Sequence, residues 1–249
     1  MEILKISAIS YLNTVPFVFG LEQSGFLKDF SMEFDVPSSC ASKLIYNQTD
    51  IGIVPVATIP FIPNSEIITD FCIGAIGPVK TVILVGNQPL EEISTVYLDP
   101  ESRTSVQLVR ILDREYWKTR FTFLPLQEGM ITTELKAGEA AVLIGDKTFG
   151  LEKKFRFVYD LSAVWFDFTG LPFVFAVWVA NKEIREPLKH QFSRALEYGI
   201  NHRKDAANSV SKKNYPNVDI EDYLMNVISY NLDDKKKEGM KLFLSMIQE

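Results

Sequence analysis

With 249 residues, 47% hydrophobic and 23% charged, the chain is long enough to bury a large core and too apolar to stay disordered. Its 26 Lys and Arg are outnumbered by 32 Asp and Glu. The net charge of −6 argues against a nucleic-acid binder built on phosphate contacts and against an anionic membrane surface as partner. Two cysteines, Cys40 and Cys72, and two histidines, His190 and His202, rule out a disulfide framework and leave a Cys/His zinc centre no spare ligand. Carboxylate-bound Mg²⁺ is not excluded by this count. No basic segment followed by a long apolar one opens the chain. The longest apolar stretch, Leu171 to Ala180, is too short to span a bilayer, so a cytoplasmic location is expected.

In chain order, short β-rich runs predict strands at Lys5–Ile9, Met32–Val36, Ile51–Val54, Ile67–Ile73, Thr81–Val85, Thr95–Leu98, Phe121–Leu124, Ala140–Ile144 and Phe157–Tyr159. Most are apolar throughout, as strands covered on both faces are. Between them, Ala41, Leu44 and Ile45 share a helical face in Ser39–Gln48, as do Leu108, Ile111 and Leu112 in Ser105–Trp117. This alternation predicts an α/β protein with a largely parallel sheet. After residue 182 the pattern is helical only. Leu188, Phe192, Leu196 and Ile200 form one stripe, Ile220, Tyr223, Leu224, Val227 and Ile228 a second, and Met240, Phe243, Leu244 and Ile247 a third. Lys235–Lys237 reads as a solvated turn between two helices.

The segments KLIYNQTDIGIVPVAT and ELKAGEAAVLIGDKT echo each other: a helix returns to an apolar strand that ends in small polar residues. Ligands of open α/β sheets bind beyond such strand ends, so the echo predicts two similar lobes facing a central cleft. Extended stretches Gly77–Leu84 and Thr169–Trp178 are the expected hinge crossings. They divide the chain into a larger lobe, 1–85 plus 173–249, and a smaller lobe, 86–172.

Candidate site residues sit where strands meet helices. Asn13, in Ser10–Phe17, offers both a donor and an acceptor, and Tyr11 adds a hydroxyl and a ring face; a plain helix start with Pro16 in its first turn is the alternative. Ser38 and Ser39 open the next helix, where hydroxyls and free N–H groups suit an anion or simply cap the helix. Ser102, Thr104 and Ser105 open another, with Arg103 among them, and suit a second anionic group. The two starts facing each other would grip a dicarboxylate. Asp146, after Gly145, orients a substrate hydroxyl or caps a turn. Thr169 and Gly170 bring a hydroxyl and close backbone approach. Cys40 reads as a small buried hydrophobe. Phosphate-loop, dinucleotide, zinc-protease and nucleophile-elbow motifs are all missing.

Taken together, Ser10–Pro16, Asp99–Ser105, Leu143–Asp146 and Thr169–Trp178 closely resemble the chorismate dehydratase family of the futalosine route to menaquinone. The resemblance runs over nearly the whole chain. It implies a two-lobed type 2 periplasmic-binding-protein-like fold working as a hydro-lyase. Chorismate would lose water to give 3-[(1-carboxyvinyl)oxy]benzoate, with no cofactor and no metal. Asn13 and Asp146 are the expected catalytic residues. Tyr11, Ser38, Ser39, Thr81, Ser102, Thr104, Ser105, Thr169 and Gly170 are expected around the substrate. Thr81 stands where a Ser is usual, and Ser162 where a Gly is. The expected partner is the small molecule alone, with a homodimer left open. The rival readings are a non-enzymatic module that binds a small carboxylate and the related dihydroxynaphthoate synthase.

Overall fold

A computed structural model describes residues 4–26, 30–127 and 135–248. The chain opens with β1 (Leu4–Ile9), α1 (Val15–Gln23), β2 (Phe30–Asp35), α2 (Pro37–Ile45), β3 (Ile51–Pro55) and β4 (Glu66–Ala75). Next come β5 (Val82–Gly86), β6 (Thr95–Leu98), α3 (Thr104–Ile111), β7 (Thr122–Pro125), β8 (Glu139–Ile144), β9 (Phe157–Asp160) and α4 (Leu161–Thr169). It closes with β10 (Phe173–Ala180), α5 (Glu186–Asn201), α6 (Arg203–Ser209), a single turn α7 (Ile220–Asp222), β11 (Ser229–Asn231) and α8 (Asp234–Gln248).

The strands form two sheets, one ordered β11-β4-β10-β3-β1-β2 and the other β7-β6-β8-β5-β9. Each has a parallel half, β2-β1-β3 and β7-β6-β8. Each also has an antiparallel half, built on β10 in the first sheet and β5 in the second. The sheets are therefore mixed, not largely parallel as expected. β5 and β10 are the strands that follow the crossings, and they run against the neighbours that the helical returns keep parallel. Periodicity could not show this, because a buried strand is apolar whichever way it runs; every residue of β3, β5 and β10 is buried.

The expected lobe boundary after residue 85 falls inside β5, which pairs on both sides within the second sheet. By sheet membership the first crossing is 76–81 and the second 170–172. The echo's second unit begins at Glu134, which lies outside the described residues.

α1, which follows the Asn13 turn, is held tightly. It crosses α5 so closely that a Cβ on Gly20 would stand 2.0 Å from the Ala195 carbonyl oxygen. Phe17 packs edge-on against Trp178 and Tyr230, at 5.8 and 5.3 Å between ring centres. The C-terminal part departs from the all-helical expectation. After α7 the chain widens into a π-type turn over Tyr223–Val227, becomes extended at Ile228, and adds β11 antiparallel to β4. Lys235–Lys237 belongs to the first turn of α8 and is not a solvated turn. Lys236 is buried with its ammonium 2.6 Å from Asp233, whose carboxylate also accepts from the Lys236 N–H. Cys40 is buried, and burial pushes its thiol up to about 12, as suits an inert filler.

Candidate active site

Between the sheets lies a hollow with about 60 Å³ of free space, lined by Tyr11, Asn13, Thr81 and the start of α3, with Phe175 and Ile73 among its apolar walls. Asn13 sits in a short 3₁₀ turn, Leu12–Thr14, at the end of β1. The Thr14 hydroxyl ties that turn by donating to the Ile9 and Tyr11 carbonyls. The Tyr230 hydroxyl donates to the Asn13 carbonyl at 3.0 Å. Asn13 Oδ1 is buried and has no hydrogen-bond partner. A buried acceptor left unmatched costs about 1–3 kcal/mol. Beside a hollow, such an acceptor can be matched by a donor bound there.

Tyr11 closes one side. Its hydroxyl donates to Glu101 Oε2 at 2.7 Å. Burial and the Glu101 carboxylate drive the phenol far above its ordinary pKa, so it stays protonated. Its ring lies against Gly145, where a Cβ would stand 2.6 Å from a ring carbon. Gly145 has φ 75° and ψ −165°, a conformation open only to glycine. Behind Tyr11, the Lys147 ammonium sits 3.0 Å from Glu101 and 2.7 Å from the fully buried Asp99. Burial works against the Glu101 carboxylate, but the bonds from Tyr11 and Lys147 outweigh it and hold its pKa below the usual range. Glu101 and Lys147 are not among the residues expected from the sequence: Glu101 sits inside Asp99–Ser105, but its partners Tyr11 and Lys147 lie 90 and 46 residues away, so no local pattern shows the pairing.

The α3 start brings Ser102, Thr104 and Ser105, all buried, to the lining with Arg103. Their duties differ. Thr104 donates its hydroxyl to the Phe175 carbonyl at 3.1 Å and accepts from the Ala57 N–H at 3.2 Å. It is a tie between α3 and the first sheet, and its one proton is not available to a substrate. Ser102 accepts from the Ser105 N–H at 3.0 Å and keeps its own proton. The hydroxyls of this start not committed to a neighbouring carbonyl are thus Ser102 and Ser105, at the positive end of a helix. Thr81 lines the hollow and bonds Tyr223 at 2.9 Å.

Four expected site residues are placed elsewhere. Ser38 and Ser39 are only half-buried and do not line the hollow; Pro37 does, and the Ser38 N–H donates to the Glu101 carbonyl at 3.2 Å. The start of α2 is therefore occupied by the opposite lobe's backbone. Thr169 donates to the Trp165 carbonyl at 2.8 Å and accepts from the Leu171 N–H, while Gly170 takes φ 71°. Both finish α4, because a helix end must satisfy its last carbonyls.

Asp146 also lies outside the lining. Its carboxylate accepts from the Leu12 N–H at 2.9 and 3.1 Å and from the Tyr215 hydroxyl at 3.1 Å. It clamps the loop next to Asn13 instead of facing the hollow as a base. Burial raises its pKa to about 6 against the bonds from Leu12 and Tyr215. The folded chain therefore holds this proton more tightly than the unfolded one. The stability it lends is full below about pH 4 and is lost as pH rises through about 6. Asp146→Asn should match wild type near pH 4 and exceed it by up to about 3 kcal/mol near pH 7 in denaturant unfolding. A variant no more stable than wild type at the higher pH contradicts this reading.

Among the described residues no group of three or more His, Cys, Asp or Glu is placed to hold a metal, and no helix is long and apolar enough to cross a membrane. A family model described as menaquinone biosynthesis matches residues 4–249. The chain belongs to the menaquinone-biosynthesis family. Two relatives, each named chorismate dehydratase, match most of it. That of Thermus thermophilus is 27% identical over 242 residues, covering 87% of this chain and 86% of its own. That of Campylobacter jejuni is 25% identical over 246 residues, covering 95% and 94%. The menaquinone-biosynthesis fold seen here is periplasmic-binding-protein-like. A Candida albicans protein described as having the generic periplasmic binding protein fold superposes with a TM-score of 0.64 at 16% identity, covering 100% of this chain and 90% of the other.

Proposed function

We propose that the protein is a chorismate dehydratase, a carbon–oxygen lyase that removes water from chorismate to leave 3-[(1-carboxyvinyl)oxy]benzoate, and that it works in the cytoplasm. The observation that carries this is the unpartnered Asn13 Oδ1, buried beside a hollow whose other polar side chains are hydroxyls and Arg103. Chorismate offers what such a hollow lacks: a ring hydroxyl to donate to Asn13 and carboxylates to accept from Ser102, Ser105 and the α3 start. Two matching relatives carry the name chorismate dehydratase.

The elimination makes the ring aromatic, so the protein has only to position and polarise. Asn13 holds the ring hydroxyl in line; its C–O bond and the C–H bond of the adjacent ether-bearing carbon break, and the proton removed joins the departing hydroxide as water. Neutral Asn is a poor base. The titratable side chains of the lining are Tyr11, kept protonated, and Arg103, always charged. The enolpyruvyl carboxylate of the substrate itself is therefore the proton acceptor. With so little free space, the substrate enters by parting of the lobes. Reclosure through Tyr11–Glu101, Leu12–Asp146 and Ser38–Glu101 then excludes water.

Incubation with chorismate, followed by mass, tests the reading. Loss of one water supports it; binding without change would identify a solute-binding module, and inertness toward chorismate would favour the dihydroxynaphthoate synthase. Ser102→Ala with Ser105→Ala should raise KM about tenfold or more, since each hydrogen bond to a charged group contributes about 1.5–3 kcal/mol. An unchanged KM would remove the α3 start from the binding site.

A further inference from the structure

A substrate with two carboxylates has to reach a chain whose own net charge is −6, so the molecule as a whole repels it unless the way in is locally positive. The outer face of α3 supplies such a way in. A second hollow, with about 650 Å³ of free space, lies between the lobes and shares Ser102 and Arg103 with the first. Leu108 and Val109 turn α3 toward the core. Arg103, Gln107 and Arg110 recur at helical spacing on its other face and line this vestibule. Arg103 stands at the passage into the first hollow, and Arg110 lies two turns further out, about 10 Å along the axis.

Both arginines are exposed, and among the described residues neither is paired with a carboxylate. The acid of the lining, Asp99, is fully buried and bound by Lys147 and the Ile144 N–H, so it does not cancel them. The Arg110 guanidinium lies 4.9 Å from the centre of the Phe123 ring, which steadies it without consuming its charge. Each lobe adds an exposed apolar wall: Phe61, 67% exposed, from the turn after β3, and Leu124, 41% exposed, from β7. Two cations beside apolar walls suit a ring that carries carboxylates more than a bare inorganic anion. The vestibule also has room for such a ring while the lobes are closed, and the first hollow, with about 60 Å³ free, does not.

We propose that this vestibule is a capture site that collects the dicarboxylate before the lobes part, with Arg110 as its outer cation and Arg103 as its inner one. This rests on the dehydratase reading and deepens it: Arg110 governs arrival, not the elimination.

The test is stopped-flow protein fluorescence on mixing with 3-[(1-carboxyvinyl)oxy]benzoate, the product of the proposed reaction, which gives an association rate constant without turnover. For wild type that constant should fall about threefold or more between about 20 and 300 mM salt, because salt screens the attraction. Arg110→Gln should lower it about threefold or more at the lower salt and match wild type at the higher. Arg110→Lys keeps the charge and should stay within about twofold. Arg156, also exposed and stacked on a phenylalanine, lies outside the vestibule, so Arg156→Gln removes the same charge and should leave the rate within about 1.5-fold. A salt-independent wild type overturns the proposal whether or not the variants fold. So does Arg110→Gln at the wild-type rate, or an equal loss in Arg156→Gln, which would reduce the effect to overall charge. Wild-type turnover of chorismate separates the two failures: an inert wild type overturns the dehydratase reading and the capture site with it, whereas an active wild type with an unaffected Arg110→Gln overturns the capture site alone.

Discussion

Asn13→Ala is expected to lower kcat by about 10²–10³-fold, the usual effect of removing one oriented polar group from a reacting centre. Binding should survive, because the proposed carboxylate site is at the start of α3, across the hollow. Stability should stay within about 1 kcal/mol of wild type. The change deletes a buried oxygen that has no partner, so no hydrogen bond is lost with it. Most buried polar truncations destabilise, so an inactive variant that melts like its parent would mark a group kept for chemistry. Turnover within threefold of wild type would remove Asn13 from the mechanism. Loss of fold would make it a structural residue.

Gly145→Ala is the second large effect. The backbone at φ 75° and ψ −165° is open only to glycine, and a methyl there would meet the Tyr11 ring at 2.6 Å. Strain of this kind costs about 1–3 kcal/mol before any clash is counted. The flexible partner is the ring, so Tyr11 should swing out and release Glu101. The cleft would then lose one wall and one of its ties between lobes. We expect kcat/KM to fall about 100-fold and Tm to drop by about 4–10 °C. Tyr11→Phe removes the hydroxyl but keeps the ring, and should fall between that variant and wild type in kcat/KM. Equal activity of all three would show that the Tyr11–Gly145 contact has no part in closure.

Apolar runs located nearly every strand, strand-to-helix junctions led to Asn13, Tyr11, Ser102 and Ser105, and the family resemblance added Thr81. Such signals are local: a turn residue or a helix-start serine shows its role within a few positions. What stayed hidden depends on partners far along the chain. Thr104 looks like its serine neighbours until the Phe175 carbonyl, 71 residues on, takes its proton. Ser38 looks like an anion site until Glu101 supplies a carbonyl to its N–H. Asp146 ends its strand as a ligand-binding residue would, yet the Leu12 N–H, 134 residues away, claims it. β11 reads Ser-Tyr-Asn and has no apolar run to announce it; pairing with β4 makes it a strand. Lys236 sits in a charge run, and only the packing of α8 reveals it as buried.

The most direct test of the central claim is a proton NMR spectrum of chorismate before and after incubation with the protein. Closure of two lobes around the ring, with Asn13 turned toward the departing hydroxyl, predicts that the olefinic ring signals vanish and that aromatic signals of a meta-substituted benzoate replace them. Wild-type protein that leaves the chorismate spectrum unchanged, at concentrations where binding is measured, would contradict the account.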